Sequence, residues 1–378
     1  MNLRLRENPW RLMLAVNVAV LIGVFLYKMT HEPYVPYLHL LVDYHFGFTK
    51  RALIGAVVSL FTAKVPAWLV FALSGTVWLI TLALFVTLFR RTFGLDDTSL
   101  PLFVFVAGSP FFLKNFLHTL GHFDIYGCAF AIGLLLIPPR SIWYVLLAAA
   151  ASIVLILIHH IQFLMYVPTI VVIVVLRHYL DRPLTRQSGI VGVTALLAVG
   201  VLFLAAQFNG TMSVPAEEFV AHLQGRIADP SRQDLMRYTH AFASIWYQPL
   251  SREIHDTWER LPANLLGVPV YALLIWLHTP LWRYFAGLIR SLTAPLHRRI
   301  VLAGIVAVSL AYLVMFAIVF DYSRWVSNWA VCMFLILHAA KALPASRRVP
   351  LIAGDDRTTT ILGAIVTLLP RVGIMRPF

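Results

Sequence analysis

The stretch LMLAVNVAVLIGVFLY, residues 12–27, decides the class of this protein. It contains no charged residue, and with its flanks it reaches about 20 residues, the length that a helix needs to cross the hydrocarbon of a bilayer. Its apolar residues are continuous rather than alternating. Because a segment in lipid must satisfy its own backbone hydrogen bonds, this pattern predicts a transmembrane α-helix and not a barrel strand.

Similar apolar runs recur along the whole chain. Of its 378 residues, 60% are hydrophobic and 12% are charged, and the mean hydropathy is +0.80. A soluble domain does not carry such an apolar excess. The sequence therefore predicts an all-α, polytopic transmembrane helical bundle of about ten spans.

The predicted bundle occupies residues 1–342, and its two longest hydrophilic segments, residues 30–65 and 208–262, are expected outside. Residues 343–378 are expected to form a cytoplasmic tail with an interfacial helix, because their apolar run is too short to span comfortably. Both termini are then cytoplasmic.

The net charge of +13 has two interpretations, nucleic-acid binding and membrane orientation. Most arginines lie in short loops between predicted spans, as the positive-inside rule expects, so no nucleic-acid partner is predicted. Arg4, Arg6 and Arg11 then predict that the first helix starts on the cytoplasmic side of a bacterial inner membrane. Cys128 and Cys332 both lie in predicted spans and have no metal-binding spacing, so neither a metal nor a cofactor is predicted.

Four predicted outer turns each place ionisable residues at one membrane face, where the positive-inside rule disfavours cations. The stretch DYHFGFTKRALIG, residues 43–55, contains Asp43, Lys50 and Arg51 just after the first span. Ionisable groups at the ends of spans are costly unless they are paired or face a wet cavity, so we predict that they converge on one functional site. The polar residues of the other outer turns are Lys114, Asn115, His118, His122, Asp124, His159, His160, Asp321 and Arg324.

The spacing supports this convergence, but structural interpretations remain open. Asp321, Arg324 and Asn328 fall at i, i+3 and i+7, on one face of a helix. Asp321 and Arg324 could instead form a structural ion pair, and Asp43, Lys50 and Arg51 could hold anionic lipid headgroups. His159 and His160 fit a polar helix end as well as a ligand pair.

Several features resemble known membrane enzymes. About ten spans, a long later outer loop and an acid in the first outer loop, Glu32 or Asp43, resemble the GT-C superfamily of lipid-linked-sugar glycosyltransferases. The stretch GHFDIYG, residues 121–127, is similar to Gly-x-x-Asp turns in some of these enzymes. The stretches GFTKRALIG and FDYSRW, residues 47–55 and 320–325, resemble bacterial membrane proteins of the exopolysaccharide polymerase type.

The resemblance implies a membrane glycosyltransferase or polysaccharide polymerase with its site facing the periplasm. The donor would be a polyprenyl-phosphate-linked sugar, the acceptor a saccharide or a lipid-linked saccharide, and membrane lipids would surround both. Asp43 would be the general base, with Asp124 as its substitute because the first loop lacks a paired acid. Asp124 and His122 would orient the acceptor, and Asp321 would position Arg324. The cations expected to bind phosphate are Lys50, Arg51, Lys114 and Arg324.

Three other functions were weighed. A transporter or flippase of a lipid-linked or anionic substrate is the main alternative, because Pro110 and Pro168 could break helices near a binding site. A di-iron enzyme would use the His-x-x-x-His pair His118 and His122, but too few histidines share the outer face at ligand spacing. A scaffold without catalysis predicts that the outer acids can be neutralised harmlessly.

Overall fold

The computed structural model describes residues 8–31, 34–180, 185–229, 243–343 and 349–372. Arg4, Arg6 and Glu32 lie outside these residues. Within the described ranges the regular structure is helical, and the only β-type pairing is an isolated bridge between Val65 and Ile227. The predicted all-α class is confirmed.

The helices are numbered here in chain order. In the first half they are α1 (Pro9–Met29), α2 (Tyr34–Leu41), α3 (Leu53–Ser59), α4 (Ala67–Phe93), α5 (Leu100–Ala107), α6 (Leu113–His118), α7 (Asp124–Leu136), α8 (Trp143–Ile158), α9 (Gln162–Met165) and α10 (Val167–Val174), which continues as a π-helical turn over Val175–Tyr179. In the second half they are α11 (Arg186–Asn209), α12 (Ala216–Gly225), α13 (Leu250–Glu259), α14 (Leu261–Leu265), α15 (Val268–Leu277), α16 (Thr279–Ser291), α17 (Pro295–Ile318), α18 (Tyr322–Lys341) and α19 (Arg357–Leu368).

Four of the described helices are long and apolar enough to cross a membrane: α1, α4, α11 and α17. A fifth candidate is α13 together with the α14–α15 segment, which are bent by 58° relative to each other. Four to five such helices indicate a multi-pass membrane protein. The ten predicted spans are not shown, because several apolar helices are shorter; at about 1.5 Å per residue, α7 is roughly 20 Å long.

Proline and glycine break two of the apolar runs. Helix α5 ends at Ala107, and α6 begins only at Leu113. Between them stands Pro110, which has no N–H to donate and disfavours a helical conformation in the residue before it. Likewise α15 ends at Leu277 and α16 begins with a proline in its first turn, where the missing N–H costs least. Both breaks leave backbone carbonyls inside the bundle.

Helix α18 is the centre of the bundle. Every residue from Trp325 to Lys341 is buried except Trp329. By contrast, only Val199, Ala206 and Gln207 are buried among the 24 residues of α11. An apolar helix that is exposed all round is expected to face lipid, whereas α18 faces only protein.

A small cap covers the end of the bundle at which α7 and α18 begin. It is formed by α2, α3, α12 and the 3₁₀ turn Ser244–Trp246, which pack around the buried Trp246. The His39 ring of α2 stacks on Phe123 of the bundle, with 4.4 Å between ring centroids. Asp124, which follows Phe123 at the start of α7, lies where the cap meets the bundle.

The segment 343–378 contributes α19, which packs against α1 and α5. The Trp10 indole N–H donates to the Gly354 carbonyl oxygen over 2.8 Å, and Gly363 lies directly against the Trp10 ring. Helix α19 is therefore part of the packed bundle, and its expected cytoplasmic location stays a prediction.

Candidate functional site

A buried ion pair between Asp124 and Arg324 joins two helices of the bundle. Asp124 is the first residue of α7, where the helix dipole favours a negative charge. Arg324 lies in the first turn of α18 and donates two hydrogen bonds to the Asp124 carboxylate. Its Nε donates to Oδ2, and its Nη2 donates to Oδ1 over 2.6 Å. The carboxylate is 1% exposed. Such bidentate pairs are the strong, geometrically specific ones.

Neighbouring residues of α18 complete this pair. Asn328 Nδ2 donates to Asp124 Oδ2 over 3.1 Å, and Tyr166 Oη donates to Asn328 Oδ1 over 2.7 Å. Asp321 Oδ2 lies 3.6 Å from Arg324 Nη1. The three residues of the predicted helical stripe, at 321, 324 and 328, therefore do meet around one carboxylate.

The turn before Asp124 depends on a glycine. Gly121 has φ of +85°, a conformation that L side chains rarely adopt. A Cβ at this position would also lie 2.6 Å from Ser74 Oγ and 2.7 Å from Pro36 Cβ. The Gly-x-x-Asp spacing thus has a physical reason: the glycine lets the turn pack against α2 and α4, and the aspartate begins α7.

Asp321 is less engaged than Asp124. It immediately precedes α18, its side chain is 23% exposed, and Ser323 Oγ is 3.4 Å from its Oδ1. Burial raises the pKa of Asp321, and the guanidinium of Arg324 opposes this rise. Its carboxyl therefore retains free acceptor positions beside a fixed cation.

Arg51 approaches the same region from the cap. Its φ of +64° makes it the only described residue other than glycine with a positive φ, a conformation that costs about 1 kcal/mol or more. Burial lowers the pKa of Arg51 to about 10, while the charges of Glu253 and Asp124 raise it and that of Arg324 lowers it. The Nε atom of Arg51 is buried and has no hydrogen-bond partner among the described residues.

Arg51, Asp124, Asp321 and Arg324 together are called the polar cluster below. They combine two guanidinium groups with one saturated and one partly open carboxylate. Such a cluster can bind an anion at Arg51 and accept a proton at Asp321.

Lys50 braces the loop that presents Arg51. Its ammonium is fully buried, and Nζ donates over 3.1 Å both to Glu253 Oε1 and to the Gln248 carbonyl oxygen. The Trp246 indole N–H donates to the Lys50 carbonyl oxygen over 3.0 Å. Burial lowers the pKa of Lys50, and its pairing with Glu253 opposes that effect. Lys50 is therefore adjacent to the polar cluster but already paired.

Four neutral histidines surround the polar cluster. Burial lowers the pKa of each, and the positive charge of Arg51 or Arg324 adds to the effect. His39 is 4% exposed, yet within the described part of the chain both of its ring nitrogens lack a hydrogen-bond partner. A neutral imidazole offers one donor and one acceptor, so these rings can recognise hydroxyl or phosphoryl groups. They are His39, His122, His159 and His160.

Asp43 lies elsewhere in the cap. Its Oδ1 is 3.1 Å from His222 Nε2, and its Oδ2 is 2.8 Å from Arg226 Nη1, both on or just after α12. The His222 ring stacks on His45, with 4.5 Å between centroids. No contact among the described residues links Asp43 to Asp124.

Lys114 is also held away from the polar cluster. Its buried Nζ donates to the carbonyl oxygens of Gly108 at 2.9 Å, Thr367 at 2.5 Å and Leu369 at 3.0 Å, with that of Val366 at 3.4 Å. These carbonyls belong to the ends of α5 and α19, where the helix dipoles are negative. The ammonium therefore joins two helix ends inside the bundle.

The sequence did not single out two residues of this region. Glu253 lies on the amphipathic α13 in a long hydrophilic segment, where an acid is unremarkable. His39 stands in an aromatic stretch, and only its stacking on Phe123 reveals its place. No pattern in the sequence distinguishes either residue.

Within the described ranges, no group of three or more His, Cys, Asp or Glu side chains could hold a metal ion. No family model, no curated protein and no solved structure matches this chain.

Proposed function

We propose that the polar cluster binds the phosphate of a polyprenyl-linked sugar and that the protein transfers or polymerises its glycosyl unit. In this proposal the site faces the periplasmic side of a bacterial inner membrane. The bundle crosses the membrane about ten times, with the shorter apolar helices completing it. The observation that carries the proposal is Arg51, whose buried Nε has no hydrogen-bond partner in the described ranges, beside an Asp124–Arg324 pair that is already formed.

Arg51 is the cation best suited to the phosphate. Arg324 is committed to Asp124 and Lys50 to Glu253. The guanidinium of Arg51 has planar donors that match a phosphate, and a left-handed backbone holds it in place. An anionic ligand would satisfy its buried donor, which otherwise costs about 1–3 kcal/mol.

Asp321 is the carboxylate best suited to take a proton from an acceptor hydroxyl. A general base needs free lone pairs and a pKa near the working pH. The pKa of Asp321 is raised by burial, and its side chain is partly exposed. Asp124, predicted as a base, accepts hydrogen bonds from Arg324 and Asn328 and is better suited to position Arg324. Asp43 is engaged by His222 and Arg226, and its role as the base stays a prediction.

One observation favours a transporter of an anionic or lipid-linked substrate instead. The helical conformation is interrupted between α5 and α6, and Lys114 binds carbonyl oxygens at this interruption and at the end of α19. Broken helices whose ends meet a charge inside the bundle are typical of transporters. This alternative predicts movement of substrate without a new glycosidic bond.

The test is a transfer assay with purified protein, a synthetic polyprenyl-phosphate sugar and a mixed pool of saccharide acceptors. Arg51→Met removes the guanidinium N–H groups that would bind the phosphate and keeps an unbranched aliphatic stem. Arg252→Met is the matched control, because Arg252 is an exposed arginine on α13 that pairs with Asp256. We expect product from the wild type and the control and at least roughly tenfold less from Arg51→Met, as loss of a charge-assisted contact implies.

Two results would oppose the proposal. Equal product from Arg51→Met and the wild type would remove Arg51 from the donor site. Movement of the lipid-linked sugar across proteoliposomes, without any product, would favour the transporter.

A further inference from the structure

A second polar site lies at the opposite end of α18. Here a cavity of about 460 Å³ opens between the ends of α4, α7, α10 and α18. Ligand sites commonly measure about 300–1,000 Å³, so a phosphate-bearing headgroup fits this volume. We call this cavity the basic cavity; its polar lining consists of Arg91, Thr92, Arg177, His338 and Lys341.

The basic cavity carries positive charge from three different helical segments and has no carboxylate in its lining. Arg91 Nη1 donates to the Leu136 carbonyl oxygen over 3.3 Å. Arg177 Nη1 donates to the Leu134 carbonyl oxygen over 3.1 Å and also contacts that of Leu135. Because these acceptors are neutral, and because neither arginine pairs with a carboxylate in the described part of the chain, the positive charge of Arg91 and Arg177 is held in place without a neutralising partner among those residues.

The same contacts remove an obstacle to anion binding. Helices α4, α7 and α18 all end near the basic cavity, and helix C-termini repel anions. The carbonyls that end α7 already accept hydrogen bonds from Arg91 and Arg177. The two arginines therefore compensate the negative end of α7, and their positive charge dominates the lining of the cavity.

A buried histidine gives independent support for a ligand. His338 lines the basic cavity and is 3% exposed, yet neither ring nitrogen has a hydrogen-bond partner among the residues that the structure describes. The ring centroid lies 4.9 Å from that of Phe93, which fixes the imidazole against an apolar wall. Buried polar atoms are almost always hydrogen-bonded, so a group with oxygen atoms is expected to complete this one.

We infer that the basic cavity binds the phosphate of an anionic ligand. Arginine donors match the geometry of phosphate oxygens, and basic pockets between helix ends suit anionic lipid headgroups. The phosphate belongs either to such a lipid or to a free phosphate compound. This inference does not depend on the proposed function of the polar cluster, because it uses none of its residues.

The test compares Arg91→Gln with Arg90→Gln. Both arginines are exposed neighbours on α4, but only Arg91 lines the basic cavity, so the two variants remove the same charge from nearly the same place. Thermal stability of the purified protein is measured with two probes in turn. The first is phosphatidylcholine vesicles with and without phosphatidylglycerol, and the second is inorganic phosphate.

We expect the wild type and Arg90→Gln to be stabilised, with Arg91→Gln needing roughly tenfold more of the effective probe, as one lost arginine contact implies. Stabilisation by phosphatidylglycerol alone would identify a lipid headgroup, and stabilisation by inorganic phosphate would identify a free phosphate compound. His338→Leu, which keeps an apolar side chain against Phe93, is expected to weaken the same response. Equal responses of the two arginine variants, or no response to either probe, would overturn the inference.

Discussion

Lys50 and Lys114 are both buried, and both were expected to bind phosphate, but the structure surrounds them differently. Lys50 meets the Glu253 carboxylate where the cap joins the bundle. Lys114 meets backbone carbonyls at the ends of two broken helices. Lys50 therefore pairs with an opposite charge, whereas Lys114 donates hydrogen bonds to carbonyls at helix ends, which lack partners within their own helices. A buried lysine is defined by its acceptors, which the sequence does not show.

The largest effect is expected at the buried pair in which Arg324 holds Asp124 with two hydrogen bonds. Asp124→Asn leaves the Arg324 guanidinium buried without its carboxylate, so we expect a stability loss of about 3–5 kcal/mol. Thermal unfolding in detergent measures it. The double variant Asp124→Asn with Arg324→Met is expected to recover part of the loss, because the buried guanidinium is removed together with its main partner. A double variant as unstable as Asp124→Asn would contradict this explanation.

Lys114→Met tests whether Lys114 stabilises two helix ends rather than binding phosphate. It leaves buried carbonyls at the ends of α5 and α19 without a donor, so a loss of about 2–3 kcal/mol is expected. Lys64→Met, at an exposed lysine, serves as the control and is expected to be neutral. Lys114→Met protein that still folds should bind the lipid-linked sugar donor as the wild type does. Loss of donor binding without loss of stability would instead place Lys114 at the substrate.

Arg51→Gly separates stability from function in the cap. Glycine tolerates the φ of +64°, and the substitution removes a buried N–H group that has no hydrogen-bond partner among the described residues. We therefore expect the free energy of unfolding to rise by about 1 kcal/mol. Binding of the polyprenyl-linked sugar should be lost at the same time. A destabilised Arg51→Gly would mean that the guanidinium contributes to the fold and is not reserved for a ligand.

The smallest effect is a pH dependence at Asp321. Its folded-state pKa lies above the ordinary value of 3.8, so the native protein binds more protons between 3.8 and that raised pKa. Stability contributed by the protonated carboxyl is therefore lost as the pH rises through this window. Melting temperatures of the wild type and Asp321→Asn across this acidic range should diverge accordingly. A constant difference between the two proteins would show that Asp321 titrates normally.

The sequence predicted those features that depend on local pattern. Continuous apolar runs gave the helical membrane class, and the spacing of Asp321, Arg324 and Asn328 gave a polar helix face that does meet Asp124. The count of ten spans stays a prediction, because breaks such as the one before Leu113 shorten runs that look continuous in the sequence. Those breaks depend on backbone conformation and on packing that hydropathy does not report.

Partner choice could not be predicted, because it depends on contacts between distant parts of the chain. Lys114 meets Thr367, and Lys50 meets Glu253, across about two hundred residues or more in each case. Nothing in the local sequence distinguishes a lysine that ends at a carbonyl from one that ends at a carboxylate. The ionisable residues of the turns were therefore recognised as a set, while their separation into those that pair with a carboxylate and those that bind backbone carbonyls required the fold.

We propose that Arg51 binds the phosphate of a polyprenyl-linked donor. This role is measured by mass spectrometry of the lipids that co-purify with the wild type, Arg51→Met and Arg252→Met. If Arg51 binds the phosphate, a polyprenyl phosphate, with or without its sugar, is expected in the wild type and in Arg252→Met, and little or none in Arg51→Met. The same polyprenyl lipid retained equally by all three proteins, or by none of them, would contradict it.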